Sequence, residues 1–337
     1  MDLNDDGWLD IYISNDYNEQ DYLYINQQNG TFQESLADFL DHTSLFSMGC
    51  DIAAINNDGL AEIFTLDMLP ESLERQKMTS GADNYNKKQS LTEQGFYHQT
   101  MRNMLHLNNG DGSFSEIGQL AGVYGTDWSW AALFADYDLD GYKDLFVTNG
   151  YKRDYTNMDF MAYAADLQIK SQQSNASNEQ IVQDLIANMP SILEPNYLFQ
   201  NQGDLTFKNK ADEWGLGETT LSNGATYADL DNDGDLDLVV NDVNEFAKIY
   251  RNNANILTNH NYLKINLKGN DKNTKATGAK VSLLINNQRL TQTILPTRGY
   301  QSSVEPTLTF GLGEYERVPK IEIYWPDGTT QVLEDIT

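Results

Sequence analysis

Residues Asp136-Tyr137-Asp138-Leu139-Asp140-Gly141-Tyr142-Lys143-Asp144 run directly into Leu145-Phe146-Val147. Carboxylates stand at the first, third, fifth and ninth places, and a glycine stands at the sixth. Calcium takes roughly six to eight hard oxygen ligands at about 2.3–2.6 Å, and carboxylates spaced in this way can wrap one ion. The glycine permits a sharp turn that a bulky side chain resists. The backbone carbonyl of the seventh residue, Tyr142, and the Asp144 carboxylate complete the protein's share of the shell. An EF-hand is the obvious rival, but it needs a glutamate at place twelve and a helix after it. Place twelve is Val147, and the residues after Asp144 are branched or aromatic, so the loop feeds a strand.

The pattern recurs. Asp2, Asn4, Asp6, the Trp8 carbonyl and Asp10 form a first copy, running into Ile11-Tyr12-Ile13. Asp229, Asp231, Asp233, the Asp235 carbonyl and Asp237 form a last copy, running into Leu238-Val239-Val240. A single Asp/Asn/Gly run is also an ordinary turn, but three copies in register argue against that reading. Another copy, Ala54 to Glu62, departs from the pattern. Ala54 removes the first ligand and Glu62 replaces the ninth aspartate, so a weak or empty site is expected, with Asn56 and Asp58 kept as turn formers.

Each loop is followed by a second cue: Tyr22–Asn26 with Gly30-Thr31-Phe32, Leu105–Asn108 with Gly112-Ser113-Phe114, and Tyr197–Asn201 with Leu205-Thr206-Phe207. Lys248–Asn252 repeats only the first half. These runs read as alternating strands closed by Asn/Gly turns. With the stretches 68–103 and 151–195 set aside as insertions, the period falls near about 50 residues, the size of one propeller blade. In the second insertion Ile181, Val182, Leu185, Ile186 and Met189 recur at helical spacing before Pro190. The expectation is a surface cap whose apolar stripe packs on a blade. Arg153, Asp154 and Tyr155 open that insertion and are candidates to line a pocket on the propeller face.

The formal net charge of −28 opposes nucleic-acid binding, which needs clustered Lys and Arg, and favours cationic partners, metal ions first. Cys50 is the only cysteine, so no intrachain disulfide forms, and its place before a strand-like run reads as an inert buried thiol. No apolar run reaches about 18 residues, so no membrane span is expected. No signal peptide is visible, but Met1 stands next to a metal-loop motif, and an export signal and further blades are expected in a longer parent chain.

The run from Trp128-Ser129-Trp130 to Gly141 resembles the FG-GAP/VCBS repeat of integrin α-subunit propellers. The resemblance covers roughly residues 1–257. It implies an all-β fold, here a partial propeller of the integrin α type, seven-bladed in the parent, with Ca2+ in the hairpin loops. Residues 260–337 resemble the ASPIC/UnbV domain through Thr277–Val281, Arg298-Gly299-Tyr300-Gln301-Ser302, Leu308–Gly313 and Ile323–Gly328. Strand-like runs at 262–267, 280–285 and 320–324 read independently as a small β-sandwich or barrel. Together the two parts are similar to the cartilage acidic protein family and its bacterial relatives. That resemblance implies a secreted, cell-surface or periplasmic protein that binds a glycan or extracellular protein.

Catalysis lacks parts. His42, His98, His106 and His260 show no metal-ligand spacing, and neither Gly-x-Ser-x-Gly nor His-Glu-x-x-His occurs. The reading is therefore a non-catalytic, calcium-stabilised binding or adhesion protein. A polysaccharide lyase on a calcium-containing propeller and a purely structural envelope protein are the alternatives. Trp128 and Trp130, two residues apart on a strand, serve either as core packing between blades or as a sugar-stacking platform, and packing is the expected role. With about 1 mM calcium and sites of about 0.1 mM affinity, each ion contributes roughly 1.4 kcal/mol, or about 4 kcal/mol for three.

Overall fold

The computed structural model describes every residue except 18, 80–84, 174–176 and 271, so parts of both insertions lie outside the described residues. Four antiparallel sheets follow one another along residues 11–250, each containing one blade. In a complete blade the acidic loop joins the first strand to the second. Blade 2 has strands Cys50–Ala53, Glu62–Thr65, Met104–Asn108 and Phe114–Glu116. Blade 3 has Ser129–Ala135, Asp144–Asn149, Tyr197–Asn201 and Phe207–Asn209. Blade 1 supplies the second to fourth strands, Ile11–Ile13, Tyr22–Asn26 and Phe32–Glu34. Blade 4 supplies the first to third, Ser222–Ala228, Asp237–Asp242 and Lys248–Tyr250.

Alternating side chains explain how blades stack. Leu145 and Val147 face blade 2, where they join Phe64, Leu66 and Leu105. Phe146, between them in sequence, faces blade 4 with Leu198, Leu238 and Val240. All three positions are therefore apolar, as in any sheet covered on both faces. Leu3, Leu23 and Ile25 meet Ile63 and Phe114 between blades 1 and 2. Among the described residues no core cluster joins blade 4 to blade 1, so the blades form an open arc. Ile11 and Ile13, the blade 1 counterparts of Leu145 and Val147, accordingly stay 42% and 40% exposed.

One asparagine in each of blades 2, 3 and 4 staples the stack. The Asn108 side chain donates to the Leu3 carbonyl of blade 1 at 3.0 Å and to its own Ala61 at 3.4 Å. Asn201 does the same to Ile55 and Lys143, and Asn252 to Tyr137 and Leu236. Each staple satisfies two loop carbonyls that packing removes from water.

Residues 261–336 form a four-stranded sheet, a two-stranded ribbon and a small hairpin around Val281, Leu283, Phe310, Ile321 and Ile323. This unit covers the loop side of the arc. The hairpin Thr297–Arg298/Ser302–Ser303 reaches the first strands of three blades. Arg298 donates to Asp51 of blade 2 at 2.8 and 2.5 Å, to the Phe134 carbonyl of blade 3 at 3.3 Å, and to the Tyr227 hydroxyl of blade 4 at 2.9 Å. Gly299 follows with φ +70°, a conformation that favours glycine, and a Cβ there would stand a tight 3.1 Å from Leu133 Cδ2.

The second insertion differs from expectation. Helix Asn178–Asn188 starts on a Ser177/Gln180 capping box and ends before Pro190, as its sequence indicates. None of its residues is buried, however. It forms a hairpin with helix Met158–Gln173, and Val182 and Ile186 remain exposed rather than packing on a blade. Asp154 is not free to line a pocket, because the Arg75 guanidinium bridges it at 2.8 Å and Asp127 at 3.0 Å, tying the two insertions together. Tyr155 packs edge-on against Trp128. Trp128 itself is buried and stacked on Tyr151 at 3.9 Å, while Trp130 meets Tyr300 of the C-terminal hairpin. The tryptophans are thus packing residues, but where blade 3 meets its insertion and the hairpin, not between blades.

Candidate metal centres

The four loops share one backbone. The fourth residue is left-handed in each, Asp5, Asn57, Leu139 and Asn232, with φ between 56° and 61°. The sixth is a glycine with φ between 87° and 101°. In the three acidic copies the first aspartate takes both N–H groups of the turn. Asp136 accepts from Asp140 and Gly141 at 3.1 and 2.9 Å, Asp2 from Asp6 and Gly7 at 3.1 Å, and Asp229 from Asp233 and Gly234 at 3.1 and 3.0 Å. The ninth residue cross-braces the loop. Asp10, Glu62, Asp144 and Asp237 each accept the N–H of the second loop residue, at 2.8 to 3.1 Å. The fifth residue accepts from the seventh N–H, Trp8, Leu60, Tyr142 and Asp235, at 2.7 to 3.4 Å.

The loop Asp136–Asp144 is the strongest centre. Carboxylate oxygens of Asp136, Asp138 and Asp144 lie within 4.8 Å of one another. Burial pushes the Asp136 and Asp144 carboxyls well above the usual range, and repulsion among Asp136, Asp138 and Asp140 adds to it. Asp140 is pushed to about 6 by burial and by Asp138. Among the described residues no lysine or arginine forms an ion pair with these four carboxylates. Gln200 donates to Asp138 at 2.6 Å, and His260 meets the Asp138 carbonyl at 2.8 Å. Hard oxygens grouped closely with no lysine or arginine partner suit a hard cation such as calcium at Asp136, Asp138 and Asp144, while Asp140 lies outside that group. Its chemistry would be charge neutralisation and loop closure.

The other acidic loops carry built-in cations. Asp229, Asp231 and Asp233 also group within 4.8 Å, but Lys264 of the C-terminal unit sits 2.5 Å from Asp229 and Arg251 sits 2.8 Å from Asp231. Asp237 lies outside that group, and its oxygens are taken by Leu230 and Asn252 N–H groups. Asp235 turns its side chain inward, where burial and the neighbouring Asp233 push it to about 6. In the first loop Lys280 stands 2.6 Å from Asp5 and 3.6 Å from Asp2, and the Asn4 amide donates to Asp6. None of Lys264, Lys280 and Arg251 was legible as a site residue, because each comes from outside its loop.

The departing copy is closed by a lysine from the neighbouring loop. Lys143 donates to the Ala54 carbonyl at 2.8 Å, at the place where the other loops present a carboxylate. Glu62 is fully buried and pushed to about 8 by burial, with only Ile55 N–H on one oxygen and no partner on the other. Asn56 and Asp58 hold the turn, as their N–H and side-chain bonds show.

The histidines give a partial surprise. His42 and His106 stand with ring centroids 6.4 Å apart beside Glu116 and Arg102, a proximity their spacing does not disclose. Burial holds His106 down near 4, and Glu116, despite its own burial, is held near 2 by His42, the Gly118 N–H and Arg102. The group braces blade 2. Cys50 is half-buried, and burial pushes its thiol up to about 11.

An open arc of antiparallel blades, each with the same loop at the same corner and an acidic one in three of the four, defines a propeller-type repeat protein with a C-terminal β-unit on its loop side. A family model described as FG-GAP-like repeat matches residues 2–65, 96–147 and 183–240, just over half of the chain, and the chain belongs to this family. A second, described as ASPIC and UnbV, matches residues 269–337. No curated protein matches the chain.

Proposed function

We propose that this chain is a calcium-stabilised, non-catalytic binding protein of the cell exterior or envelope, and that its ligand is a glycan. The observation that carries the reading is a cleft of about 650 Å³ between the first loop and the C-terminal unit. Trp8, Tyr324 and Trp325 line it together with Asp2, Asp6 and Arg289. Trp8 is 48% exposed there, and its ring is available to stack on a sugar face. Carboxylates and a guanidinium beside aromatic rings give hydroxyl groups both acceptors and donors. The FG-GAP-like repeats support an exterior setting, where calcium is abundant. No helix among the described residues is long and apolar enough to cross a membrane.

A glycan array probed with and without calcium tests the proposal. The expected result is calcium-dependent retention of a defined glycan class, reduced at least about tenfold by Trp8→Ala, the scale of one lost stacking contact. Equal retention by the variant, or release of unsaturated sugar ends, would overturn it.

A further inference from the structure

Blades 1, 2 and 3 close their outer edge in the same way. The fourth strand places a phenylalanine opposite the asparagine that ends the third: Phe32 opposite Asn26, Phe114 opposite Asn108, Phe207 opposite Asn201. Two backbone bonds clasp each strand. Ser35, Ile117 and Lys210 donate to Leu23, Leu105 and Leu198 at 2.7 to 2.8 Å. Gln27, Asn109 and Gln202 donate to Thr31, Ser113 and Thr206 at 2.9 to 3.0 Å. The Phe114 and Phe207 rings are then buried between their blade and the one before it.

Blade 4 keeps the acceptor half of this arrangement and lacks the donor half. Its third strand has the family register, with Leu238 opposite Tyr250 as Leu145 is opposite Phe199. Asn252 makes the staple. Yet no strand pairs with the outer edge of Lys248–Tyr250 among the described residues. The Asn253 N–H, counterpart of Gln202, turns back to the Asn252 side chain at 2.8 Å. Where the phenylalanine ring would enter lies a cavity of about 640 Å³, lined by Leu198, Trp214, Leu216, Leu238, Tyr250 and Asn252. No described residue fills it. Helix Ala254–Leu257 passes its mouth, with Leu257 82% exposed.

We infer that the outer edge of blade 4 is an acceptor site for an extended peptide strand that residues 1–337 do not supply, carrying a phenylalanine after a Ser or Thr. Main-chain pairing to Arg251 and Ile249 would give the strand its direction, and the cavity would select the aromatic side chain. The occupant has the chemistry of the fourth strands already present in blades 2 and 3.

The probe is a ten-residue peptide with the sequence of residues 203–212, added to the full chain. Two altered peptides accompany it, one with Phe207→Ala and one methylated on the Lys208 backbone nitrogen. Binding is read by calorimetry and by hydrogen exchange of the chain. The expected result is one peptide per chain, with slower exchange confined to residues 249–253. Each altered peptide should bind at least about tenfold more weakly, the scale of one buried aromatic side chain or a lost ladder bond. Equal binding by all three peptides, protection elsewhere, or no binding at millimolar peptide would overturn the inference. So would ultracentrifugation showing that the edge instead pairs two copies of the chain.

Discussion

Replacing Arg298 with methionine should unlock the C-terminal unit from the blades. Among the described residues the guanidinium is the only charged group bonded to Asp51, and both side chains are largely buried. Asp51 and Tyr227 hold its pKa above the ordinary arginine value although burial opposes this, so the guanidinium stays charged. Removing one partner of a buried pair leaves an uncompensated charge and costs about 3–5 kcal/mol. Asp51 keeps the Phe134 and Ile52 N–H groups, at 2.7 and 2.9 Å, which places the cost near the lower figure, about 3 kcal/mol. Against a typical stability of about 5–15 kcal/mol that is a large loss. Urea unfolding measures it, and hydrogen exchange at residues 297–303 locates it. The double variant Asp51→Asn/Arg298→Met should regain part of the loss, because it buries no lone charge. If Arg298→Met unfolds within about 0.5 kcal/mol of the parent, the scale of an unremarkable surface change, or if the double variant is worse than either single one, the hairpin does not lock the unit to the blades.

Glu62→Gln should flatten the stability profile between about pH 4.5 and pH 8. The folded pKa near 8 lies above the ordinary 4.5, so the contribution is complete below about 4.5 and is lost as pH rises through 8. The variant should therefore match the parent at about pH 4 and exceed it by several kcal/mol at about pH 9 in urea titrations, because each pH unit between those two ionisations costs the parent about 1.4 kcal/mol. Lys264→Gln should strengthen calcium binding at the last loop by about tenfold, since it removes the cation that competes for Asp229. Calorimetry on the variant should resolve an additional or tighter site, and an unchanged isotherm would count against competition.

The acidic loops and the strand cues were legible because both depend on residue identity at fixed short spacing. Asp136 to Asp144 spans one turn, and Asn201 marks the end of the third strand wherever the chain is cut. The all-β fold, the propeller repeats and the C-terminal ASPIC/UnbV unit were read correctly on that basis. What escaped came from long-range assembly. Arg298 meets Asp51 across 247 residues, and no local pattern signals that a conspicuous Arg-Gly-Tyr hairpin ends among three blades. Lys264 and Lys280 look like ordinary surface lysines until the C-terminal unit is laid on the loops. The helical stripe at 181–189 has the right period, but periodicity says that a face is apolar and not what covers it. Here helix Met158–Gln173 pairs with it, leaving Val182 and Ile186 exposed.

Thermal unfolding of the full chain in calcium, magnesium and chelator, beside Asp136→Asn, tests the metal loops most directly. Calcium should raise the melting temperature over chelator, with magnesium far less effective because its tighter octahedral shell suits a flexible acidic loop poorly. Asp136→Asn should lose most of that rise, since it weakens the loop without a competing lysine. A melting temperature indifferent to calcium and chelator, and equal calcium responses in parent and variant, would each contradict calcium binding and leave the acidic loops as turns alone.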